Sequence, residues 1–335
     1  MIYSYLSLET FDTMNEVWSC YKQELDKVET CIKKEVDSEV SLINAVIWHI
    51  LSSGGKRIRP LLLIICARLC RYTGRDHITL AAVIEFMHTA TLLHDDVIDN
   101  AKIRRGIPSA RVLWGNRESI LAGDYLYTLA IRQAIQMEHS EINHMLSSVC
   151  CRATEGEALQ LVHNHDLGLT EESYLKIVEY KTAALISASC HLGAMVAGAS
   201  EEHKETLKRF GKNLGIAFQV ADDILDYTAD VGRLGKSLGK DLKEGKITLP
   251  LLHLLKHCKP KERIRLKKII LSGKVIKAHL DDVISLMDRY GSGTYAIERA
   301  QDYVDRAKSD LSCFEDSEPR RALFAVADYV VRRDC

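Results

Sequence analysis

The sequence predicts an all-α fold, and three observations carry that prediction. Only five prolines (Pro60, Pro108, Pro250, Pro260 and Pro319) interrupt 335 residues, so long stretches are free of helix breakers. Apolar residues recur at a spacing near 3.6 across 117–163, 172–198 and 202–227. Strand-like alternation is hard to find.

Taken in order, helices are predicted over 11–52, 58–72, 77–99, 117–137, 139–163, 171–199, 201–227, 248–257, 260–271, 273–291, 293–313 and 320–333. The first stops at 52–60, where two glycines, a basic run and Pro60 fall together. The stretch 100–117 contains Pro108, 163–171 is loop-like, 228–248 is rich in glycine and lysine, and 313–320 contains Pro319. The run "AALISASCHLGAMVAG" at 183–198 is too short to cross a bilayer and contains His191. It reads as a buried helix whose small residues allow close packing. No low-complexity linker and no repeat of 20–50 residues divides the chain, so a single domain over 1–335 is expected.

Composition narrows the function. Apolar residues make up 47% of the chain, enough for a large core, and the net charge is −1. A chain with no global basic field has no electrostatic footprint for nucleic acid, and any anion site must be a local cluster. The ten cysteines form no CxxC pair and no zinc-ligand spacing, and no secretory segment precedes the first helix. They read as reduced thiols in a cytoplasmic protein.

The stretch "LLHDDVIDNAKIRRG" holds the first chemistry. On a helix over 77–99, Asp95 and Asp99 are four apart on one face, with Asp96 beside them. They repel one another, and the negative end of the helix dipole disfavours them further. Charges beside apolar "TLL" and "VI" are costly without partners. Hard oxygen ligands at the mouth of a cavity suit Mg²⁺, which takes one or two carboxylates plus phosphate oxygens. The plain alternative is a solvated acidic helix end. A second cluster, Asp222, Asp223 and Asp226 in "GIAFQVADDILDY", repeats the DDxxD spacing at the end of another apolar helix. Two such helices facing each other could hold several Mg²⁺ ions around one diphosphate.

Basic residues flank these clusters. "GGKRIRP" at 54–60 supplies Lys56, Arg57 and Arg59 as phosphate donors, with glycines that permit close backbone approach. Arg104 and Arg105 follow the first cluster, and Lys181 and Thr182 lie in a helical stretch. The loop "GRLGKSLGKDLKEGKITLP" carries Lys236, Lys240 and Lys246, which could close over a phosphate or remain solvated. His88 lies two turns below Asp95, and Gln219 lies three residues before Asp222. Each is ambiguous alone.

Together, "GGKRIRP", "MHTATLLHDDVID", "RRG", "KT", "GIAFQVADDILDY" and "GKDLKEGKITLP" resemble the trans-isoprenyl diphosphate synthase family, and most of all its long-chain, octaprenyl-type members. The resemblance implies an all-α, single-domain bundle of helices around a deep central cavity, the isoprenoid synthase type, usually as a homodimer. It implies Mg²⁺-dependent head-to-tail condensation of isopentenyl diphosphate with an allylic diphosphate, with three ions, and peripheral contact with a membrane for product release. Carried over, Asp95, Asp99 and Asp222 would ligate metal, supported by Asp96 and Asp226. Lys56, Arg59, His88 and Arg105 would hold isopentenyl diphosphate. Arg104, Lys181, Thr182, Gln219 and Lys236 would hold the allylic diphosphate. Asp95, Asp99, Arg104, Lys181 and Asp222 would be the catalytic set.

Short-chain members of that family often place an aromatic floor where this chain has Ala90 and Thr91. Small residues there imply a product longer than fifteen carbons, about octaprenyl, for a quinone side chain. Tyr127, Met137, Phe86 and Met87 are candidate floors. The alternatives are a geranylgeranyl-type enzyme of shorter product, or a catalytic subunit that needs a partner chain. A non-catalytic partner subunit would be expected to carry degraded aspartate motifs, and both motifs here are intact. A terpene cyclase or head-to-head enzyme would have less use for the "GGKRIRP" site. A structural or membrane-binding helical protein would leave six paired aspartates without a role.

Overall fold

The structure is a computed structural model that describes residue 11, residues 13–228 and residues 238–332. Thr13 opens the first helix with a capping box: its hydroxyl accepts from the Glu16 N–H, and the Glu16 carboxylate accepts from the Thr13 N–H. Helices α1 (Met14–Cys20), α2 (Lys22–Glu35), α3 (Ser41–Ser52), α4 (Ile58–Leu69) and α5 (Asp76–Ile98) follow. A two-residue antiparallel hairpin, β1 (Ile103–Arg104) and β2 (Ile107–Pro108), comes next, with Arg104 opposite Ile107. Then come α6 (Ala110–Leu113), α7 (Asn116–Gln136), α8 (Ser140–Val162) and α9 (Glu171–Val178). A π-helical turn (Glu179–Ala183) leads into α10 (Ala184–Val196) and α11 (Glu201–Thr228). The chain continues through α12 (Lys240–Lys243), α13 (Leu249–His257), α14 (Pro260–Leu271), α15 (Lys277–Arg289), α16 (Ser292–Asp310) and α17 (Glu318–Arg332).

The long apolar helices form the centre, as their sequence predicts. α10 packs between α4 and α11, α5 lies along α7, and α11 lies along α16. In α10, Gly193 sits against the Leu63 carbonyl of α4, so the small residues of the 183–198 run do allow close packing. Among the described residues no helix is long and apolar enough to cross a membrane, and every cysteine is a free thiol.

Four expectations need correction. The helix expected over 11–52 is three helices. Tyr21 leaves helical geometry (φ −95°, ψ 10°), and Asn44 accepts from the Ser38 N–H (3.0 Å) while donating to the Ser38 carbonyl (2.8 Å). Such local side-chain bonds compete with the helical ladder. The helix expected over 171–199 is interrupted by the π-helical turn, and the loop 100–117 contains both the hairpin and α6.

Arg57 is the fourth correction. It does not face a phosphate site. Its Nε donates to Glu29 of α2 (2.6 Å), its Nη1 to Glu85 of α5 (2.5 Å) and its Nη2 to the Leu51 carbonyl of α3 (3.2 Å). One guanidinium thus ties three helices to the start of α4. Glu85 is 2% exposed, so its charge depends on this partner. We predict that Arg57→Met destabilises the fold by about 3–5 kcal/mol, because it strands a buried carboxylate. Chemical denaturation measures this, and a change below about 1 kcal/mol, the worth of an exposed pair, would contradict it.

Candidate active site

The C-terminal turn of α5 presents its three aspartates to different surroundings. Asp96 is 1% exposed and accepts from Arg104 through Nε (2.8 Å) and Nη2. Its second oxygen, Oδ2, is buried with no hydrogen-bond partner. Arg104, expected at the allylic diphosphate, therefore has two of its donor nitrogens committed to Asp96. Asp99 accepts from Lys246 Nζ at 3.2 Å on both oxygens and from Lys240 Nζ at 3.4 Å. Burial would raise the Asp99 carboxyl, but Lys246, Lys240 and Lys181 together hold it below its ordinary value. Asp95 has no such excess of cations. Burial pushes its carboxyl up to about 6, Glu157 and Asp99 add to this, and Lys181 and Arg104 oppose it.

On α11 the second cluster is held differently. Asp223 accepts from the Tyr174 hydroxyl (2.6 Å) and from Gln219 Nε2 (2.7 Å), and Thr182 donates to Gln219 Oε1 (2.7 Å). Burial lifts Asp223 to about 7 despite these donors. Asp226 accepts from the backbone N–H groups of Lys240 (3.0 Å) and Asp241 (2.9 Å) and so pins the start of α12. Lys240 is thus bonded to both clusters, through its backbone to Asp226 and through its ammonium to Asp99. Lys181 and Thr182 form a second bridge. Lys181 acts on Asp95 and Asp99, while Thr182 is bonded to the α11 network. The two DDxxD motifs therefore face one another.

A third group gathers cations. Arg59 Nη1 lies 3.3 Å from His88 Nε2. Burial lowers the Arg59 guanidinium to about 10, with Glu85 and Asp222 opposing. Burial and the guanidinium groups of Arg59, Arg105, Arg104 and Arg57 push His88 well below the usual imidazole range, so its ring is neutral at pH 7. Arg105 adopts a left-handed backbone (φ +51°) and donates to the Gly54 carbonyl. Its guanidinium lies against Gly55, where a Cβ would come within 2.9 Å of Nη1, so the glycine pair does permit close approach. Lys56 turns elsewhere: it donates to the Tyr329 hydroxyl and lies 4.9 Å over that ring.

Arg59, His88 and Arg105 are therefore together, as are Asp95, Asp99 and Lys181, and Thr182, Gln219 and Asp223. Lys56 and Arg104 have other partners, and Lys236 lies outside the described residues. Lower on α5, Ala90 is fully buried and Thr91 donates to the His88 carbonyl (2.7 Å). Tyr127 of α7 has its ring 5.8 Å from that of His94. It sits at the level of the aspartates and not far below them.

Sequence reasoning missed Glu157, Tyr174, Asp241 and Tyr329. Glu157 pairs with Lys181 at 2.5 Å. Its neighbour Gly156 was the available signal: a glycine within a helix is unfavourable unless something approaches closely. Here a Cβ would meet the Lys181 backbone nitrogen at 2.4 Å. Tyr174 and Tyr329 carry no local signal, because their partners are remote in sequence, whereas Asp241 lies within the quoted "GKDLKEGKITLP" motif.

Among the described residues no three metal-ligating side chains already stand at metal-holding geometry. The donor set nevertheless fits Mg²⁺ bound jointly with a diphosphate, which needs only one or two carboxylates and takes its other ligands from phosphate and water. The raised Asp95 carboxyl and the unpartnered Asp96 Oδ2 are the observations that call for a further cation.

The family model described as "Polyprenyl synthetase" matches residues 40–287. The octaprenyl diphosphate synthase of Escherichia coli (strain K12) is 39% identical over 312 residues, covering 93% of this chain and 96% of that protein. Component 2 of the heptaprenyl diphosphate synthase of Geobacillus stearothermophilus is 34% identical over 325 residues, covering 96% of this chain and 99% of that protein. The crystal structure of a polyprenyl synthase from Caulobacter crescentus CB15, complexed with calcium and isoprenyl diphosphate, superposes with a TM-score of 0.93. It is 36% identical in sequence, over 96% of this chain and 98% of that one.

A raised carboxyl fixes the sign of a pH effect. Its folded pKa lies above the unfolded value of 3.8, so folding favours the protonated form, and that stability is lost as pH rises through about 6. In metal-free protein we predict that Asp95→Asn is stabilising above pH 6, by at most about 3 kcal/mol, and near neutral below pH 4. Thermal melts at pH 4, 6 and 8 in EDTA measure it. A gain that is the same at every pH would refute the shift.

Proposed function

The chain belongs to the polyprenyl synthetase family, and from that premise we propose that its 335 residues form one catalytic domain that condenses isopentenyl diphosphate head to tail onto an allylic diphosphate, of farnesyl or geranyl type, to give a long all-trans polyprenyl diphosphate. It is a prenyltransferase. The observation that supports this best is the loop at 238–246, whose backbone is held by Asp226 and whose lysines reach Asp99. It sets two carboxylate clusters around a common space, with cations between them.

In this reading the rim and the cation group divide the two substrates. Arg59, Arg105 and the neutral His88 hold isopentenyl diphosphate, and Lys56 joins them from its place beside Tyr329. Lys181 reaches the allylic diphosphate, with Lys236 closing over it. Thr182 and Gln219 act mainly by fixing Asp223 and the π-helical turn that carries Lys181. Arg104 serves the site by neutralising Asp96. Asp95, Asp99 and Asp222 would hold divalent metal, three Mg²⁺ ions by family analogy, and the metal would supply charge stabilisation to the departing diphosphate. The double bond of isopentenyl diphosphate attacks the allylic carbon, pyrophosphate departs, and the proton lost from the product passes to that pyrophosphate. The small, buried side chain of Ala90 lies beneath the rim, where water must be kept from the cation. Two separate diphosphate sites favour elongation over cyclisation, and two intact motifs disfavour a purely regulatory chain.

For length, the small and buried Ala90 leaves room beneath Asp95, and we propose a product of about eight isoprene units, by analogy with the E. coli relative. With Tyr127 at rim level, Met137 is the better candidate floor, since ten further residues carry α7 about 15 Å along its axis.

For assembly, we propose a homodimer through α7. Leu121, Ile131 and Ile135, on one side of α7, are 59%, 51% and 58% exposed, and exposed apolar side chains grouped on one helix side are what a protein contact would cover.

Product analysis tests the reaction. With Mg²⁺, labelled isopentenyl diphosphate and farnesyl diphosphate, we predict products near octaprenyl length. A folded chain that yields none with either farnesyl or geranyl primer would point to a required partner subunit. Asp222→Ala should cut turnover by about three orders of magnitude, roughly 4 kcal/mol of barrier, with the fold intact. Turnover within tenfold of the wild type would remove Asp222 from the metal set. Ala90→Phe should shorten the product by at least one isoprene unit, and an unchanged length would mean that the tail takes another path. Ile131→Glu with Ile135→Glu should halve the mass seen by light scattering. A mass unaffected by the double change would place the interface elsewhere.

A further inference from the structure

A cavity of about 570 Å³ opens where α9, α13, α14 and α16 meet. None of its lining residues belongs to the aspartate rim or to the Arg59 group. Its size is that of a site for a small organic molecule, about 300–1,000 Å³.

The charges around it are one-sided. Lys256, Arg263 and Lys267 line it, and among the described residues none of the three is in an ion pair. The one lining carboxylate, Glu171, is already occupied, accepting from the Tyr295 hydroxyl at 2.6 Å and from Arg299 Nε at 3.0 Å. Arg263 is held in place by the Lys256 carbonyl (2.8 Å), and its Nε is buried without a hydrogen-bond partner. Leu169 and Leu255, which also line the cavity, are buried and apolar. Tyr295 stacks on His253 with ring centroids 4.4 Å apart, and His253 in turn lies 4.1 Å from His257.

We propose that this cavity binds a phosphorylated amphiphile, with its phosphate group at Lys256, Arg263 and Lys267 and its apolar body against the leucines and the Tyr295–His253 stack. Fixed guanidinium and mobile ammonium donors are what a phosphate group selects, and charge assistance makes those bonds strong. An apolar wall is of no use to a bare anion, so the two halves of the cavity call for a ligand with two halves. The position also matters to the rest of the molecule. Thr170 and Glu171, which line the cavity, begin α9, and Tyr174 in the next turn holds Asp223. The assignment stands on the cavity alone and is independent of the reaction proposed above.

The test reads the cavity directly, in the full-length protein with EDTA present so that no metal–diphosphate complex forms at the rim. Imidazole signals of His253 and His257 are followed by NMR during titration with farnesyl monophosphate, and separately with inorganic phosphate. Both probes should move these signals, farnesyl monophosphate at concentrations at least tenfold lower. In the Lys256→Ala, Lys267→Ala double variant, where both side chains are exposed and the fold is safe, the midpoint should rise at least tenfold. Its turnover at saturating substrate should stay within twofold of the wild type. Unmoved histidine signals, or an unchanged midpoint in the double variant, would overturn the assignment. Equal midpoints for the two probes would overturn the amphiphile and leave an adventitious anion only.

Discussion

Negative charge gathered at the ends of two apolar helices is the constraint on which the rest of this structure depends. α5 ends on Asp95, Asp96 and Asp99, and α11 carries Asp222, Asp223 and Asp226 in its last turns. Burial, mutual repulsion and the negative end of the helix dipole all act against such groups. Four of them are held by four different devices. Asp96 takes a guanidinium, Asp99 takes lysines, Asp223 takes neutral side-chain donors, and Asp226 takes backbone N–H groups. At Asp95, Asp223 and Asp226 burial outweighs the offset, and their raised carboxyls record this. A site built in this way favours any added cation that arrives with oxygen ligands of its own.

The supporting scaffold follows from that need. The β1–β2 hairpin sends consecutive arginines to different places, since Arg104 ends the extended strand and Arg105 turns into a left-handed backbone at φ +51°. Arg104 goes to Asp96 and Arg105 goes to the Gly54 carbonyl. The π-helical turn shifts the phase between α9 and α10, and it carries Lys181 toward the first cluster while Thr182 meets the second. Gly156 lets α8 approach that turn closely enough for Glu157 to take the lysine. The ammonium groups of Lys240 and Lys246 rest on Asp99, a position from which a competing cation could release them toward a phosphate.

Much of this was legible in the chain. Proline scarcity and a 3.6-residue apolar period do imply helices, because both are properties of consecutive residues. Spacing alone put Asp95 and Asp99 on one face, and the order of the six motifs carried the family. Errors arose where one residue had several candidate partners. Arg57 and Arg59 are two apart in a basic run, yet one ties helices together and the other faces His88. Nothing in their composition separates them, because the left-handed backbone at Arg57 decides which way its side chain leaves. The expected 11–52 helix failed for a related reason, a local Asn44–Ser38 bond that periodicity does not weigh.

The sequence by itself therefore determined the helical class, the two carboxylate clusters, the presence of nearby cations and the small residues beneath Asp95. Tertiary structure alone decided which cation serves which carboxylate, that Lys56 turns to Tyr329, that Tyr174 and Glu157 belong to the site, and that a basic, half-apolar cavity opens beside α9. The division has a physical basis. Relations along one helix are set by its pitch and can be counted from the chain. Pairing between helices depends on distances of a few ångströms between residues far apart in the chain, 273 positions for Lys56 and Tyr329, and only packing sets those distances.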